Sequence, residues 1–207
     1  ANNETGTLQD IAGLSRWVGR HGALLHTDAA QAAGKVAIDF AASGAQLMSL
    51  SAHKLYGPKG IGALIVDKAV ELEPLLHGGA QEKHRRAGTE NVAAVVGFGV
   101  AAGLAKQRLA ERAVHAHSLR KRLESGLRAI GGVEIFSALA ERLPNTTCAA
   151  VPGIDGETLL MSLDKAGMAV SSGSACADGS HEPSPVLLAM GVAPELARST
   201  IRISLGP

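Results

Sequence analysis

The sequence predicts an α/β protein followed by a second, smaller α+β unit, and three observations carry that reading. Segments of helical period alternate with short apolar runs between residues 8 and 66. Two polar groups, Asp28 and Lys54, stand where two of those runs end. After Gly131-Gly132 the texture changes to short strand-like runs around two helices. Strands in alternation with helices imply crossover connections and a sheet covered on both faces, with reactive groups collected where strands give way to loops.

Taken in order, residues 8–20 place Leu8, Ile11, Leu14 and Val18 on one helical face. The turn at Gly22 leads into a strand from Ala23 that ends at Asp28. Leu47 to Ser51 and Gly62 to Val66 read as the next two strands. From Val92 to Ile130 the period is helical and reads as two helices. The basic set Arg120, Lys121, Arg122 and Arg128 is expected on the solvated outer face of the second helix. Strands are then expected at 133–136, 148–151, 168–171 and 200–205, with helices at 156–165 and, opening on Pro183, at 183–190. The domain boundary falls near 105–115, giving units of 1–108 and 109–207.

Composition narrows the function classes. Twenty Lys plus Arg against nineteen Asp plus Glu leave a formal charge of +1, so no overall field attracts nucleic acid or anionic lipid. One Trp, one Tyr and three Phe offer little for base stacking. Two cysteines are too few for a disulfide framework and fit a reducing compartment. No apolar run approaches the roughly 18 residues of a membrane span. No basic-then-apolar leader opens the chain, which is read as cytoplasmic. Both ends look cut, one starting within a motif and the other stopping just after a strand, so a fragment of a longer protein is expected.

Five constellations carry chemistry. Lys54, in Ser51-Ala52-His53-Lys54-Leu55-Tyr56-Gly57-Pro58-Lys59-Gly60, sits after an apolar strand. A fixed amine of lowered pKa there can form a Schiff base; the plainer reading is a loop lysine with a packed stem. Asp28, in His26-Thr27-Asp28-Ala29-Ala30-Gln31, ends a strand where a carboxylate needs a positive partner or caps the next helix. A pyridinium nitrogen would be such a partner, and Gln31 could donate to a phenolate oxygen of the same ring. Cys176 lies among small residues in Ser171-Ser172-Gly173-Ser174-Ala175-Cys176-Ala177-Asp178-Gly179-Ser180 and reads as an exposed thiol. Cys148 lies in a strand run and reads as structural.

The stretch Arg85-Arg86-Ala87-Gly88-Thr89-Glu90-Asn91 leads into a helix and suits a phosphate, although a Thr cap reads the same way. Arg202, in the apolar run Thr200-Ile201-Arg202-Ile203-Ser204, would bind a substrate carboxylate or form a structural ion pair. Asn3 reads at this level as a turn residue.

These motifs, in this order and over essentially the whole chain, resemble the cysteine desulfurases of the NifS/IscS type. Those are class V aminotransferase-like pyridoxal-phosphate enzymes of fold type I. The resemblance rests on N-N-E-x-G, H-x-D-x-x-Q, S-x-H-K-x-Y-G-P-K-G, H-G-G, R-x-G-T-E-N, P-N-x, S-S-G-S-A-C and S-x-I-R-x-S-L-G. It implies that 1–108 is the C-terminal part of the large cofactor-binding domain and 109–207 most of the small domain with the cysteine loop.

It further implies that Lys54 carries pyridoxal 5'-phosphate, Asp28 pairs with its ring nitrogen and Gln31 with its phenolate oxygen. Ser51 and His53 would bind the phosphate, and Thr89 the phosphate of the other subunit of a homodimer. Asn3 would contact cofactor and substrate, and with Arg202 hold the substrate carboxylate. Cys176 would become the persulfide and a transient iron–sulfur ligand, no other metal being implied. The implied partners are L-cysteine and an iron–sulfur scaffold or another sulfur acceptor, with no nucleic acid and no membrane. Family members are nearly twice as long, so these residues alone are expected to hold the cofactor poorly. Two other readings stay open: a lyase acting on selenocysteine, and a non-catalytic dimerisation or acceptor-binding module.

Overall fold

A computed structural model describes residues 1–172 and 182–206. The chain forms two units, Gln9–Leu109 and a second one joining Ala1–Leu8 to Ala110–Pro207. Residues 1–8, read above with the first domain, lie in the second unit.

The first unit opens with α1 (Ile11–Gly19), capped by Asp10, whose carboxylate accepts from Gly13 N–H at 2.8 Å. The helix is shorter than the apolar period suggested because Leu8 is drawn away: its N–H bonds the carbonyl of Glu141. Strand β1 is only His26–Asp28. Short α2 (Phe40–Ser43) then leads to β2 (Leu47–Ser51), which lies parallel to β1. Strand β3 (Gly62–Val66) pairs with β2 antiparallel. The crossover expectation therefore holds for β1 and β2 and fails for β3, which returns through a turn. Gly62 sits so close to β2 that a Cβ would lie 2.7 Å from the Leu50 carbonyl oxygen. Coverage of this sheet on both faces is not seen, Leu64 being 48% exposed.

The broken turn α3 (Gln81–His84) precedes α4 (Val92–Gln107). Asn91 caps α4, its Oδ1 accepting from Ala94 N–H, so Thr89 is not the cap. On its inner face Ala101 and Ala105 pack with Ala33 and Leu55 to form the core of this unit.

The second unit is built on a four-stranded antiparallel sheet in the order β4-β5-β7-β6: β4 (Glu134–Ile135), β5 (Thr146–Ala150), β6 (Ser171–Ser172) and β7 (Thr200–Ser204). Every residue of β5 is buried, so alternation sends its side chains to two covered faces. On one face Cys148 and Ala150 meet Phe136, Leu187 and Ala197, the last two from short helices α7 (Pro185–Ala189) and α8 (Pro194–Arg198). On the other, Thr147 Oγ1 donates to Glu124 of the long helix α5 (Leu109–Ile130).

Helix α6 (Gly156–Lys165) is capped by Asp155, which accepts from Glu157 and Thr158 N–H. Gly156 starts it because a Cβ there would lie 2.7 Å from the Thr200 carbonyl oxygen and 2.8 Å from that of Arg198.

Two expectations are corrected here. Helix α7 begins after Pro183, at Pro185, because Ser184 accepts from Leu187 N–H and caps it. The basic set of α5 is not all solvated. Lys121 and Arg122 are exposed, but Arg120 turns inward at 11% side-chain exposure, and both it and Arg128 reach the buried Glu124. A buried carboxylate draws cations in, which a count of surface charge does not foresee.

Candidate active site

Because β1 and β2 are parallel neighbours, their carboxyl ends open on the same edge of the sheet. Asp28 is the last residue of β1 and pairs in register with Ser49; β2 runs two residues further, to Ser51. A single turn of 3-10 helix, Ala52–Leu55, follows at once. With three residues per turn, Ala52 and Leu55 share a side. Both point inward, at 0% and 6% exposure, leaving His53 and Lys54 facing out. Tyr56, at φ 64°, ends the turn in the left-handed region, with Gly57 N–H returning to the Ala52 carbonyl at 2.9 Å. The apolar pair anchors the turn, and the anchored turn displays the lysine.

Around that edge the polar groups are partly engaged. Ser51 Oγ and His53 Nδ1 are 2.8 Å apart, and His26 Nε2 meets Ser49 Oγ at 2.6 Å. Asp28 Oδ1 accepts from Ala30 N–H at 2.8 Å, closing a turn of its own; no helix begins there for it to cap. Its Oδ2 has no protein partner among the described residues. Lys35 Nζ donates to the Gln31 carbonyl at 2.8 Å and to Gln31 Oε1 at 3.3 Å, which leaves the Gln31 Nε2 hydrogens as donors. Thr89 stands on a separate exposed loop ahead of α4.

The remaining sequence candidates belong to the other unit. Arg202, on inner strand β7, donates from Nη1 to the main-chain carbonyl of Asn3 at 2.8 Å. Its Nε is buried without a hydrogen-bond partner. Arg202 is in no salt bridge among the described residues. Asn3 sits in a tight turn in which Asn2 Oδ1 accepts from the N–H groups of Glu4 and Thr5, each at 2.9 Å. Cys148 is fully buried; burial above all, with the Glu4 charge adding, pushes its thiol up to about 12. That thiol stays protonated and inert. Cys176 falls in 173–181, outside the described residues.

Sequence reasoning missed two features. Glu124 is met by Arg142 at 3.0 Å, Arg128 at 3.2 Å and Arg120 at 3.9 Å. Ser184 Oγ donates to the buried Glu4 Oε2 at 2.5 Å. A Glu in an apolar helix face was the available signal for the first; nothing local signals the second.

A mixed α/β fold with an amine and a carboxylate at adjacent strand ends defines a class, and the class has relatives. The chain belongs to the aminotransferase class-V family, whose model matches residues 1–207. Members of that family are pyridoxal-phosphate-dependent in general. The chain is 49% identical over 205 residues to a cysteine desulfurase of Gluconacetobacter diazotrophicus, covering 99% of this chain and 51% of that one. It is 46% identical over 206 residues to the cysteine desulfurase NifS of Azotobacter vinelandii, again covering 99% of this chain and 51% of the relative. The X-ray structure of a NifS-like protein from Rickettsia africae superposes with a TM-score of 0.91 at 39% identity, covering 100% of this chain and 54% of that chain. This likeness bears out the α/β, fold-type-I reading. The chain spans about half the length of the curated relatives it matches.

Proposed function

We propose that this chain provides the lysine-bearing and cysteine-bearing half of a pyridoxal-phosphate-dependent cysteine desulfurase, which converts L-cysteine to L-alanine and keeps the sulfur as an enzyme persulfide. The observation that carries this is the placement of Lys54 and Asp28 at the carboxyl ends of two adjacent parallel strands.

The residues present fit the cofactor. An outward amine at Lys54, an unshared carboxylate oxygen at Asp28 and a hydroxyl–imidazole pair at Ser51 and His53 match an aldehyde, a basic ring nitrogen and a phosphate. When bound, pyridoxal phosphate supplies an electron sink for a carbanion at the substrate Cα. The Asp28 carboxylate would keep the ring nitrogen protonated by its charge, and Gln31 Nε2 would donate to the phenolate oxygen. Thr89 contributes to a phosphate site across a homodimer.

Arg202 and Asn3 hold the substrate carboxylate; the unpartnered Nε of Arg202 is the donor that supports this assignment. The Lys54 amine would take the proton from the substrate Cα. Cys176, as thiolate, attacks the substrate sulfur. The carbon–sulfur bond breaks, a sulfur–sulfur bond forms on Cys176, and the substrate Cβ gains hydrogen to become the methyl of alanine. The persulfide then passes to an acceptor, an iron–sulfur scaffold in this reading, with Cys176 as transient cluster ligand. We infer a reducing cytoplasm as the setting, where Cys176 stays a thiol between turnovers.

The test is single-turnover alanine release in the intact protein. Cys176→Ala should release almost none while keeping the visible band of the bound cofactor, and Lys54→Ala should lose the band. Wild-type alanine yield from Cys176→Ala would refute the assigned role.

A further inference from the structure

The backbone that follows β1 is held from three sides. Ala29 N–H donates to the Ser49 carbonyl of β2 at 3.0 Å, and the Ala29 carbonyl accepts from Ala32 and Ala33 N–H. Ala29, Ala32 and Ala33 are buried. Gly34, at φ 72°, is pressed against the turn that carries Lys54: a Cβ there would lie 2.7 Å from Leu55 Cδ2 and 3.2 Å from Ala105 Cβ of α4. Leu55 is one of the two inward anchors of that turn. With the main chain from Ala29 to Gly34 fixed in this way, what stays adjustable at Gln31 is its side chain.

Lys35 removes that freedom. Its Nζ donates to the Gln31 carbonyl at 2.8 Å, which seats the ammonium, and to Gln31 Oε1 at 3.3 Å. An ammonium has hydrogens to give and no lone pair to offer, so only the oxygen end of the amide can face it. Gln31 Nε2 has no hydrogen-bond partner among the described residues.

We propose that Lys35 is a positioning residue of the cofactor site: its ammonium holds the Gln31 amide by the oxygen, so that the Nε2 hydrogens are the end offered to the phenolate oxygen of the ring. This rests on the reading of Gln31 given above and adds a residue to which the motifs assign no part. A reversed amide would set its own oxygen against the phenolate, acceptor against acceptor. A donor there stabilises the charged oxygen, and so lowers the pH at which the bound cofactor loses the proton that this oxygen shares.

The experiment follows the visible band of the intact, cofactor-loaded protein as a function of pH. In Lys35→Met its midpoint should rise by about one pH unit, the equivalent of one ordinary hydrogen bond. Gln31→Leu should raise it by a similar amount, and the double variant no further. The double variant is decisive because loss of the lysine charge alone would also raise the midpoint, but in either background. Asp28, His53 and the other ionisable groups of the edge are common to all four proteins and cancel in the differences. Lys35→Ala repeats the measurement should Lys35→Met not fold. Additive shifts, or a midpoint unmoved by loss of Lys35, overturn the proposal; where Gln31→Leu still moves, the reading of Gln31 stands without it. A wild-type protein that shows no visible band with added pyridoxal phosphate overturns the cofactor reading, and the role of Lys35 with it.

Discussion

Arg142 Nη1 lies 3.0 Å from Glu124 Oε1, and the two side chains are 3% and 7% exposed. This pair joins α5 to the segment preceding β5, and Arg120 adds a bond from α5 to the Leu143 carbonyl. Residues 141–143 in turn hold the amino-terminal turn, through Leu8 N–H to Glu141 and Leu143 N–H to Gly6. The turn that presents Asn3 therefore rests on a buried carboxylate more than a hundred residues away.

Replacing Glu124 by Gln should strand several arginines with less than their full charge answered. Breaking a buried pair from one side costs about 3–5 kcal/mol. Denaturant unfolding of Glu124→Gln should show that loss, and a change within about 0.5 kcal/mol, usual for surface sites, would remove the cluster from the fold's support.

Acid should act through the same group. Burial alone would raise the Glu124 pKa, but the hydrogen bond and charge of Arg142, then Thr147 and Arg120, outweigh it and hold the carboxyl below its ordinary value of 4.5. A depressed carboxylate contributes stability that is present above that value and lost as pH falls through the lower, folded one. Unfolding midpoints measured below pH ~4.5 should drop more steeply in wild type than in Glu124→Gln. Parallel curves would count against the assignment.

Cys148 should resist alkylation. Its thiol is fully buried and pushed up to about 12, so iodoacetamide at neutral pH should leave it untouched until denaturant is added. Mass spectrometry of proteolytic peptides reads this directly, and labelling of Cys148 in the folded protein would contradict its placement in the core.

The turn carrying Lys54 separates display from anchorage. Lys54→Ala should change stability by less than about 0.5 kcal/mol, because the side chain is exposed. Ala52→Leu should cost about 1–3 kcal/mol, since Ala52 has no exposed surface into which a larger side chain could extend. Thermal melts of the two variants compare them, and equal losses would contradict the division of roles.

Gly156→Ala tests a close approach of backbone to backbone. Two carbonyl oxygens within 2.8 Å of the added methyl must move, and they belong to Arg198 at the end of α8 and Thr200 at the start of β7. A loss of about 1–3 kcal/mol is expected in denaturant unfolding, and a neutral outcome would mean that β7 shifts freely.

Much of the scaffold was legible because periodicity is local. Strands 47–51 and 62–66 and helix 156–165 were read at their observed limits. Strand direction is not local, and nothing in Gly62-Ala63-Leu64-Ile65-Val66 says that it runs antiparallel to its neighbour. The parallel arrangement of the strands ending at Asp28 and Ser51 was inferred from their alternation with helices, and it places those ends at one edge. Short α8 was missed because a helix of five residues, the first of them a proline, carries no period. The Glu124 cluster and the Glu4–Ser184 bond were out of reach for a different reason. Their partners are chosen by burial across 18 and 180 residues, and a charge in sequence does not announce whether folding will hide it.

Strand β6 is two residues long and forms one margin of its sheet, with a neighbour on one side only. A chain that leaves a sheet from its margin breaks no inner ladder as it goes. Changes of chain length beyond Ser172 can therefore be taken up while the β-scaffold that seats Arg202 keeps its register. The length of chain that follows this margin and the seating of the guanidinium on the neighbouring strand are thus free to vary independently.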